Sequence, residues 1–489
     1  MRHLNGLLLM LLLAAGAGAL HAQGPRSAST LPALPPASPV PGTGQDSLPC
    51  PECNPPKQFW RAAGFLMVSQ LVPYIFNSAV RGEVWSDVGP TTWRNNIVYP
   101  WQWDDNTFQN NQFGHPYQGN MYYNSARTNG YDFWSSAIWP FAGSLMWEIF
   151  FEAWAPAPND FVNTSVGGVT LGETLYRLSR LPLDNTATGG ERVWREVASG
   201  LLNPISGVNR LLRGETGRVS ANPAEWRPSA IYSILDLGYR QTTSTLGESD
   251  LETGAAQWNA TFNLTYGDAV KDLSRAPFSY FAFRADLAGP SETGIMSQFS
   301  ARGSLAAWAL GESGRHQAAL SLAYDYFNNP AFVYGGQSVQ MGLVSTYGAP
   351  GATWWGQTNF LFNGVLLGAT ESDYYETIEG RNYDYGPGLG TILSARFLYK
   401  NRLLATAGYT GLWIHTIDGT ESSHYQDALS VEGRYWLTRS LGLGISYTNY
   451  NRRSDYVGEL DQVETSNFVR AFVSTVFPGL PKDQEGGRQ

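Results

Sequence analysis

The stretch Trp258-Asn259-Ala260-Thr261-Phe262-Asn263-Leu264-Thr265-Tyr266 decides the fold, because every even position is apolar or aromatic and every odd one polar. Side chains on a strand point alternately to opposite faces, so this segment has one greasy side and one wet side. The same alternation sets Phe281, Phe283, Ala285 and Leu287 against Arg284 and Asp286. It also sets Leu429, Val431, Gly433, Tyr435 and Leu437 against Ser430, Glu432 and Arg434. Twelve such segments run near 230–242, 256–267, 277–287, 295–310, 316–326, 335–347, 353–368, 388–399, 403–415, 425–437, 441–451 and 466–477. Each has 11–16 residues, more than the usual five or six of soluble strands, and about ten tilted residues cross a membrane. Odd-numbered connections average about 12 residues and even-numbered ones about 5, as when long outer loops alternate with short periplasmic turns. A soluble sandwich would have shorter strands and no sorting of loops by parity. The expected fold is an all-β transmembrane barrel of about 12 antiparallel strands over 221–477, preceded by a mostly helical N-terminal domain. A polar tail, 478–489, follows.

Composition agrees. Only 15% of the 489 residues are charged and the net charge is −9, while aromatics reach 13% and glycines number 53. An acidic, weakly charged chain is a poor ligand for nucleic acid. Abundant aromatics exclude disorder over the whole length.

The N-terminus sets the expected compartment. Residues 1–22 read as a signal peptide, with Arg2 before the apolar run Leu7–Leu20 and a small residue, Ala22, at the end. Residues 23–56 are rich in Pro, Ser and Ala and read as an extended, disordered tether. Its end carries the two cysteines, Cys50 and Cys53. With no further thiol for a zinc site and no thioredoxin-like context, a small local disulfide or an incidental pair is expected.

Residues 57–220 do not alternate and form the helical domain. Phe65–Val80, Tyr131–Trp154 and Asp160–Leu178 read as helices, the first two kinked or split by Pro73 and Pro140. Residues 62–80 carry no charge, but Ser69, Gln70, Pro73 and Asn77 argue against a spanning helix. Gly168-x-x-x-Gly172 permits close approach of another helix or of the barrel wall. About 160 residues are too many for a twelve-strand lumen, so most of the domain is expected in the periplasm, with at most a helix or loop entering the barrel as a plug.

The chemistry-bearing residues of this domain are His115, Ser144, Glu148, Glu152 and Asp160. Glu148 and Glu152 are expected one turn apart on one helical face, where carboxylates must share protons or find cations. No His-x-x-x-His or His-Glu-x-x-His spacing and no Gly-x-Ser-x-Gly elbow occurs, so no metal, cofactor or assigned catalytic residue is expected. The bland reading is a polar network that locks helices together, with Asn120, Arg127, Asn163, Glu173, Asn209 and Arg210 as members. In the barrel, Arg240, Arg284, Arg302, Arg396, Arg434 and Arg470 fall at inward positions. There they hold acidic residues, attract anions to a pore, or are neutralised by one another.

The runs Gly114-His115-Pro116-Tyr117-Gln118-Gly119-Asn120, Tyr123-Asn124-Ser125-Ala126-Arg127, Trp147-Glu148-Ile149-Phe150-Phe151-Glu152, Asn159-Asp160-Phe161-Val162-Asn163-Thr164 and Leu202-Asn203-Pro204-Ile205-Ser206-Gly207-Val208-Asn209-Arg210 resemble a bacterial family. That family is known as a domain of unknown function found in predicted outer-membrane proteins. The resemblance covers about 105–215 and implies a Gram-negative envelope protein of unassigned activity. Three roles follow: a channel or binding protein for a small solute, an outer-membrane lipid-modifying enzyme using His115, Glu148, Glu152 and Asp160, or an envelope assembly or structural factor. The first is favoured. Expected partners are outer-membrane lipids, the barrel-assembly machinery during insertion, and an unidentified periplasmic protein; nucleic acid is not expected.

Overall fold

The computed structural model describes residues 48–246, 252–254, 256–289, 295–329, 332–348 and 352–477. The expected signal peptide 1–22, residues 23–47 of the expected tether and the tail 478–489 lie outside the described residues.

Twelve long strands follow the alternating segments: β1 Ile231–Leu246, β2 Gln257–Tyr266, β3 Phe281–Gly289, β4 Met296–Ala309, β5 His316–Asn329, β6 Phe332–Tyr347, β7 Trp354–Glu371, β8 Tyr383–Tyr399, β9 Leu403–His415, β10 Ser422–Trp436, β11 Leu441–Tyr456 and β12 Gln462–Phe477. Each pairs with the next, and β12 returns to β1 from Ser233↔Phe477 to Leu246↔Glu464, closing an antiparallel barrel. A two-residue strand, Glu252–Thr253, adds to the far end of β1. The end where β1 begins and β12 finishes is called the near end below.

One expectation does not survive. The connections average six or seven residues at both ends, so they do not sort by length. Several strands extend further toward the far end than their alternation suggests, as β8 does by starting at Tyr383 and β11 by running to Tyr456. Backbone pairing there continues through polar residues that carry no pattern.

Outward side chains on β8–β12 form an exposed apolar band that includes Leu389, Leu393, Leu429, Val431, Leu443, Ile445, Val469 and Val473. Aromatics rim it at both heights, with Trp354, Tyr399 and Tyr435 near one end and Trp413 and Tyr425 near the other. Tyr435 and Tyr425 are ten residues apart on a tilted strand, about 25 Å along the barrel axis, the height of a lipid-facing band.

The lumen is filled by side chains. Toward the far end, Tyr334, Val365, Leu412, Ile414 and Phe468 form a buried cluster that reaches from β6 to β12, diametrically opposite strands. Toward the near end, Ile234, Leu404, Trp436 and Val476 form another. Charges lie between them. Asp236 accepts from Arg434 at 2.8 Å, from Ser474 at 2.7 Å and from Arg470 at 3.5 Å.

The helical region comprises α1 Phe59–Ile75, α2 Pro90–Val98, α3 His115–Arg127, α4 Phe133–Phe150, α5 Pro158–Val162, α6 Gly168–Arg180, α7 Gly189–Leu202 and α8 Pro204–Leu212. π-Helical turns extend α1 to Arg81, precede α3 from Asn110, and join α5 to α6. Neither proline ends its helix: α1 runs through Pro73 and α4 through Pro140.

This region occupies neither the lumen nor a detached position beyond the barrel. It packs on the barrel's outer wall, against outward residues of β2–β8. Leu264, Phe281, Phe283, Phe299, Tyr324, Leu367 and Tyr383 share one buried core with Phe113, Tyr123, Phe133, Leu171 and Leu175. Phe133 stacks on Phe278 below the near end of β3, 5.6 Å between ring centres. Phe108 meets Tyr383 at the far end, 5.4 Å away. The bundle therefore runs the height of the apolar band. The 18 residues of α4 span about 27 Å, and Phe59–Arg81 is a 23-residue apolar helix long enough to cross a membrane. The size argument against a plug holds, but the apolar helical faces find the wall rather than the periplasm. Exposed Val68, Val72, Ile138 and Leu145 continue the band's apolar surface over the bundle.

Small residues make the bundle tight. A Cβ on Gly168 would lie 2.6 Å from Gly119 Cα, and one on Gly172 would lie 2.7 Å from the Tyr123 ring. The Gly168-x-x-x-Gly172 face thus seats α6 on α3. The end of the tether is also ordered. Ala221 donates its backbone N–H to Pro49 O at 3.1 Å, and Gln58 donates its own to Asn129 O at 3.0 Å. Gly130, at φ +86°, lets Pro56 O approach to 2.5 Å from where a Cβ would stand. Cys50 and Cys53 form a disulfide in this strap.

Candidate functional site

Three groups of polar residues are buried. The first lies where the bundle meets the wall at the far end. His115 opens α3, its Nδ1 3.1 Å from Thr164 Oγ1 and its Nε2 3.5 Å from Asp160 Oδ1. Asn159 Nδ2 donates to Asp160 Oδ1 at 2.8 Å and to the hydroxyl of Tyr385 at 3.3 Å. Glu148 is buried, with one carboxylate oxygen accepting the Ala157 backbone N–H at 2.9 Å and the other lacking a partner. Glu152 accepts from Trp147 Nε1 at 3.2 Å.

The helix ends at Phe150, so Glu152 lies beyond it and the pair does not share a helical face. Asn96 draws this end together by donating to the Glu148 and Glu152 carbonyls at 3.0 and 2.8 Å. Asp104, Glu148, Glu152 and Asp160 are within electrostatic reach of one another. Ser144 is buried with no hydrogen-bond partner and does not meet His115. No group of three or more His, Cys, Asp or Glu arranged to hold a metal occurs among the described residues.

The second group is in the lumen, and sequence reading passed over its main feature. His424 is fully buried, with Nδ1 2.8 Å from Ser454 Oγ and Nε2 3.0 Å from Asp384 Oδ2. Ser422 Oγ also lies 2.9 Å from Nε2. The connectivity is that of nucleophile, base and acid, but all of these residues are sealed from solvent. As built, the group ties β8, β10 and β11 together. Spacing gave no signal, because the three strands meet only through the barrel's register.

Of the lumen arginines, Arg240 donates to Ser297 Oγ at 2.8 Å, and Arg434 and Arg470 hold Asp236. Arg470 also donates to Thr261 Oγ1 at 2.6 Å. Arg284 donates weakly to Asn263 at 3.4 Å. Arg302 and Arg396 face the lumen and form no ion pair among the described residues.

The third group lies at the near end, under the disulfide strap. Arg127 and Arg177 hold the buried Glu173 at 2.9 and 2.8 Å, with Tyr123 donating to it at 2.7 Å. Asn209 donates to Thr128 O at 2.9 Å; farther along the bundle Asn120 accepts from Asn124 at 2.9 Å, and at the far end Asn163 donates to Asn111 O at 2.9 Å. Arg210 holds Glu196 at 2.8 Å and Glu52 at 2.5 Å. Burial would raise the Glu52 carboxyl, but the charges of Arg210 and Arg180 and a hydrogen bond from Asn185 outweigh it and hold the group below the usual glutamate range. Of these, Glu52, Arg127, Asn209 and Arg210 line a cavity of about 320 Å³, with Tyr131, Arg180 and Trp226 among the other lining residues.

Residues 100–205 match a family described as a domain of unknown function (DUF3943), about a fifth of the chain. The match contains His115, Glu148, Glu152, Asp160 and Arg180, and ends within the Leu202–Arg210 run. No curated protein matches the chain. Among solved structures, the NanC porin is similar at 7% identity and TM-score 0.27, over 48% of this chain and 98% of that one. An outer membrane channel from Pseudomonas putida F1 is similar at 11% identity and TM-score 0.28, over 52% and 99%. The outer membrane protease OmpT from Escherichia coli is similar at 9% identity and TM-score 0.21, over 51% and 97%. At such values the barrel rests on its own strand pairing, and no activity transfers.

Proposed function

We propose that this chain is an outer-membrane barrel that binds a small solute rather than conducting one, with its near end facing the periplasm. The observation that carries this reading is the buried cluster that reaches across the lumen from Tyr334 to Phe468, with a second one along one side around Ile234 and Trp436. A water path would have to pass the first of them. The cavity beneath the strap supplies a concave, polar-lined site of ligand size instead. The apolar band and aromatic rims suit insertion among outer-membrane lipids by the barrel-assembly machinery. Planar-bilayer recording tests the reading. The wild-type protein shows no unitary conductance, whereas Tyr334→Gly combined with Ile234→Ala and Trp436→Ala opens one. Steady conductance by the wild type would refute it.

A second reading is favoured by the carboxylates gathered around His115 at the bundle–wall seam, within the band's height. There the His115–Asp160 pair would act as general base or acid on a lipid. Under this reading Glu148→Gln, Glu152→Gln and His115→Asn, each checked for heat-modifiable gel migration, alter the lipid A or phospholipid profile. Unchanged profiles in folded variants remove it.

A further inference from the structure

Around the near-end cavity, six arginines (Arg127, Arg177, Arg180, Arg192, Arg210 and Arg213) face four glutamates (Glu52, Glu173, Glu196 and Glu215). Every one of these glutamates is engaged by an arginine other than Arg180. Glu52 gives one oxygen to Arg210 and the other to Asn185 at 2.7 Å. Glu173 is taken by Arg127 and Arg177, Glu196 by Arg192 and Arg210, and Glu215 by Arg213 at 2.8 Å. Two further carboxylates stand at the cavity's edge. Asp132 pairs with Lys57 at 3.6 Å and caps α4, and Glu225 is exposed.

Arg180 is left over. It is the last residue of α6, only 6% exposed, and its Nε and Nη1 have no hydrogen-bond partner. The guanidinium is held between two aromatic faces, 4.6 Å from the Tyr176 ring centre and 5.3 Å from that of Trp226. Arg127 covers the other side of Tyr176 at 4.2 Å, and Arg210 lies against Trp226 at 5.5 Å. This stacking fixes the plane of the fork beside the cavity that Arg180 lines. Glu52 and Glu215 lie within electrostatic reach of Arg180 but make no hydrogen bond to it, so its unmet donors favour an oxyanion brought into the cavity.

We infer that the cavity is an oxyanion-binding site, with Arg180 as its anchor, for a small solute bearing a carboxylate or phosphate group. The inference deepens the small-solute reading and names the chemical class of the solute. Its size limit follows from the cavity, which is near the low end of the range for ligand sites.

The test uses the full chain in a zwitterionic detergent, titrated calorimetrically with inorganic phosphate, with succinate, and with phosphatidylglycerol in mixed micelles. At least one of them binds the wild type. Arg180→Met, which keeps the apolar stem between the rings, weakens that binding by about tenfold or more, and Arg275→Met, on an exposed barrel turn, leaves it unchanged. Binding of the free anions assigns a soluble ligand, and binding of the lipid alone assigns a headgroup. If Arg180→Met does not fold, Arg180→Lys keeps the charge without the fork and binds about threefold or more weakly. Absence of binding by the wild type up to about 10 mM, or equal affinity in the Arg180 variant, overturns the site. Conductance of the same preparation is read separately, so loss of the anion site leaves the closed-lumen reading standing.

Discussion

The hydroxyl of Tyr324, which points outward from β5, donates to the backbone carbonyl of Gln112 at 2.6 Å. A barrel side chain placed to face lipid is thus committed to a helix, and both groups are buried. Tyr324→Phe leaves the carbonyl unmet in an apolar seam and costs about 1–3 kcal/mol. Limited proteolysis should release the bundle at lower denaturant than in the wild type, while heat-modifiable migration of the barrel stays as it was. Loss of both together would mean that bundle and barrel unfold as one unit.

The α3–α6 crossing has no room for a methyl group. Gly168→Ala brings a Cβ against Gly119 backbone, and overpacking of this kind costs about 1–3 kcal/mol or more. Ala at Gly64, whose Cβ position is open, should change the bundle's unfolding midpoint little. Equal effects of the two substitutions would refute the tight crossing.

Within the lumen, Asp236 is shared by Arg434, Arg470 and Ser474. Asp236→Asn leaves Arg434 and Arg470 to share Glu432, 2.8 and 3.5 Å away, and lowers barrel stability by about 1–3 kcal/mol, read as the temperature at which the folded gel band disappears. The clusters above and below remain, so no conductance appears. A conducting Asp236→Asn protein would place the seal at the charges rather than at the apolar layers.

Docking of the strap should depend on pH. The Glu52 carboxyl titrates below its ordinary value in the folded chain, so its contribution is fully present above the unfolded value of about 4.3. It is lost as pH falls through the lower folded value. Hydrogen exchange of residues 48–58 should accelerate on acidification in that window, and Glu52→Gln should show the acid behaviour at neutral pH. An unchanged pH profile in Glu52→Gln would move the effect to another group.

Period-two alternation determined the strand count, the inward and outward faces and even single boundaries, as at Leu403–His415. Alternation is a local consequence of the pleat, and each strand carries its own copy. Three apolar runs were legible as helices, the one that becomes Phe133–Phe150 among them, because such runs are local too, whereas α2, α3, α7 and α8 were not singled out. Tertiary structure alone decided where the bundle sits. Leu264, Phe283 and Tyr324 follow the same outward pattern as Leu443 or Ile445, so nothing local distinguishes wall that meets helices from wall that meets lipid. The same holds for the chemistry. Glu148 and Asp160 were visible as isolated carboxylates, but the Asp384–His424–Ser454 contact and the stacked Arg180 depend on strands and helices brought together from distant parts of the chain. Burial, pairing and the want of a partner belong to the folded assembly, whereas the sequence by itself supplied only the residue types and their spacing.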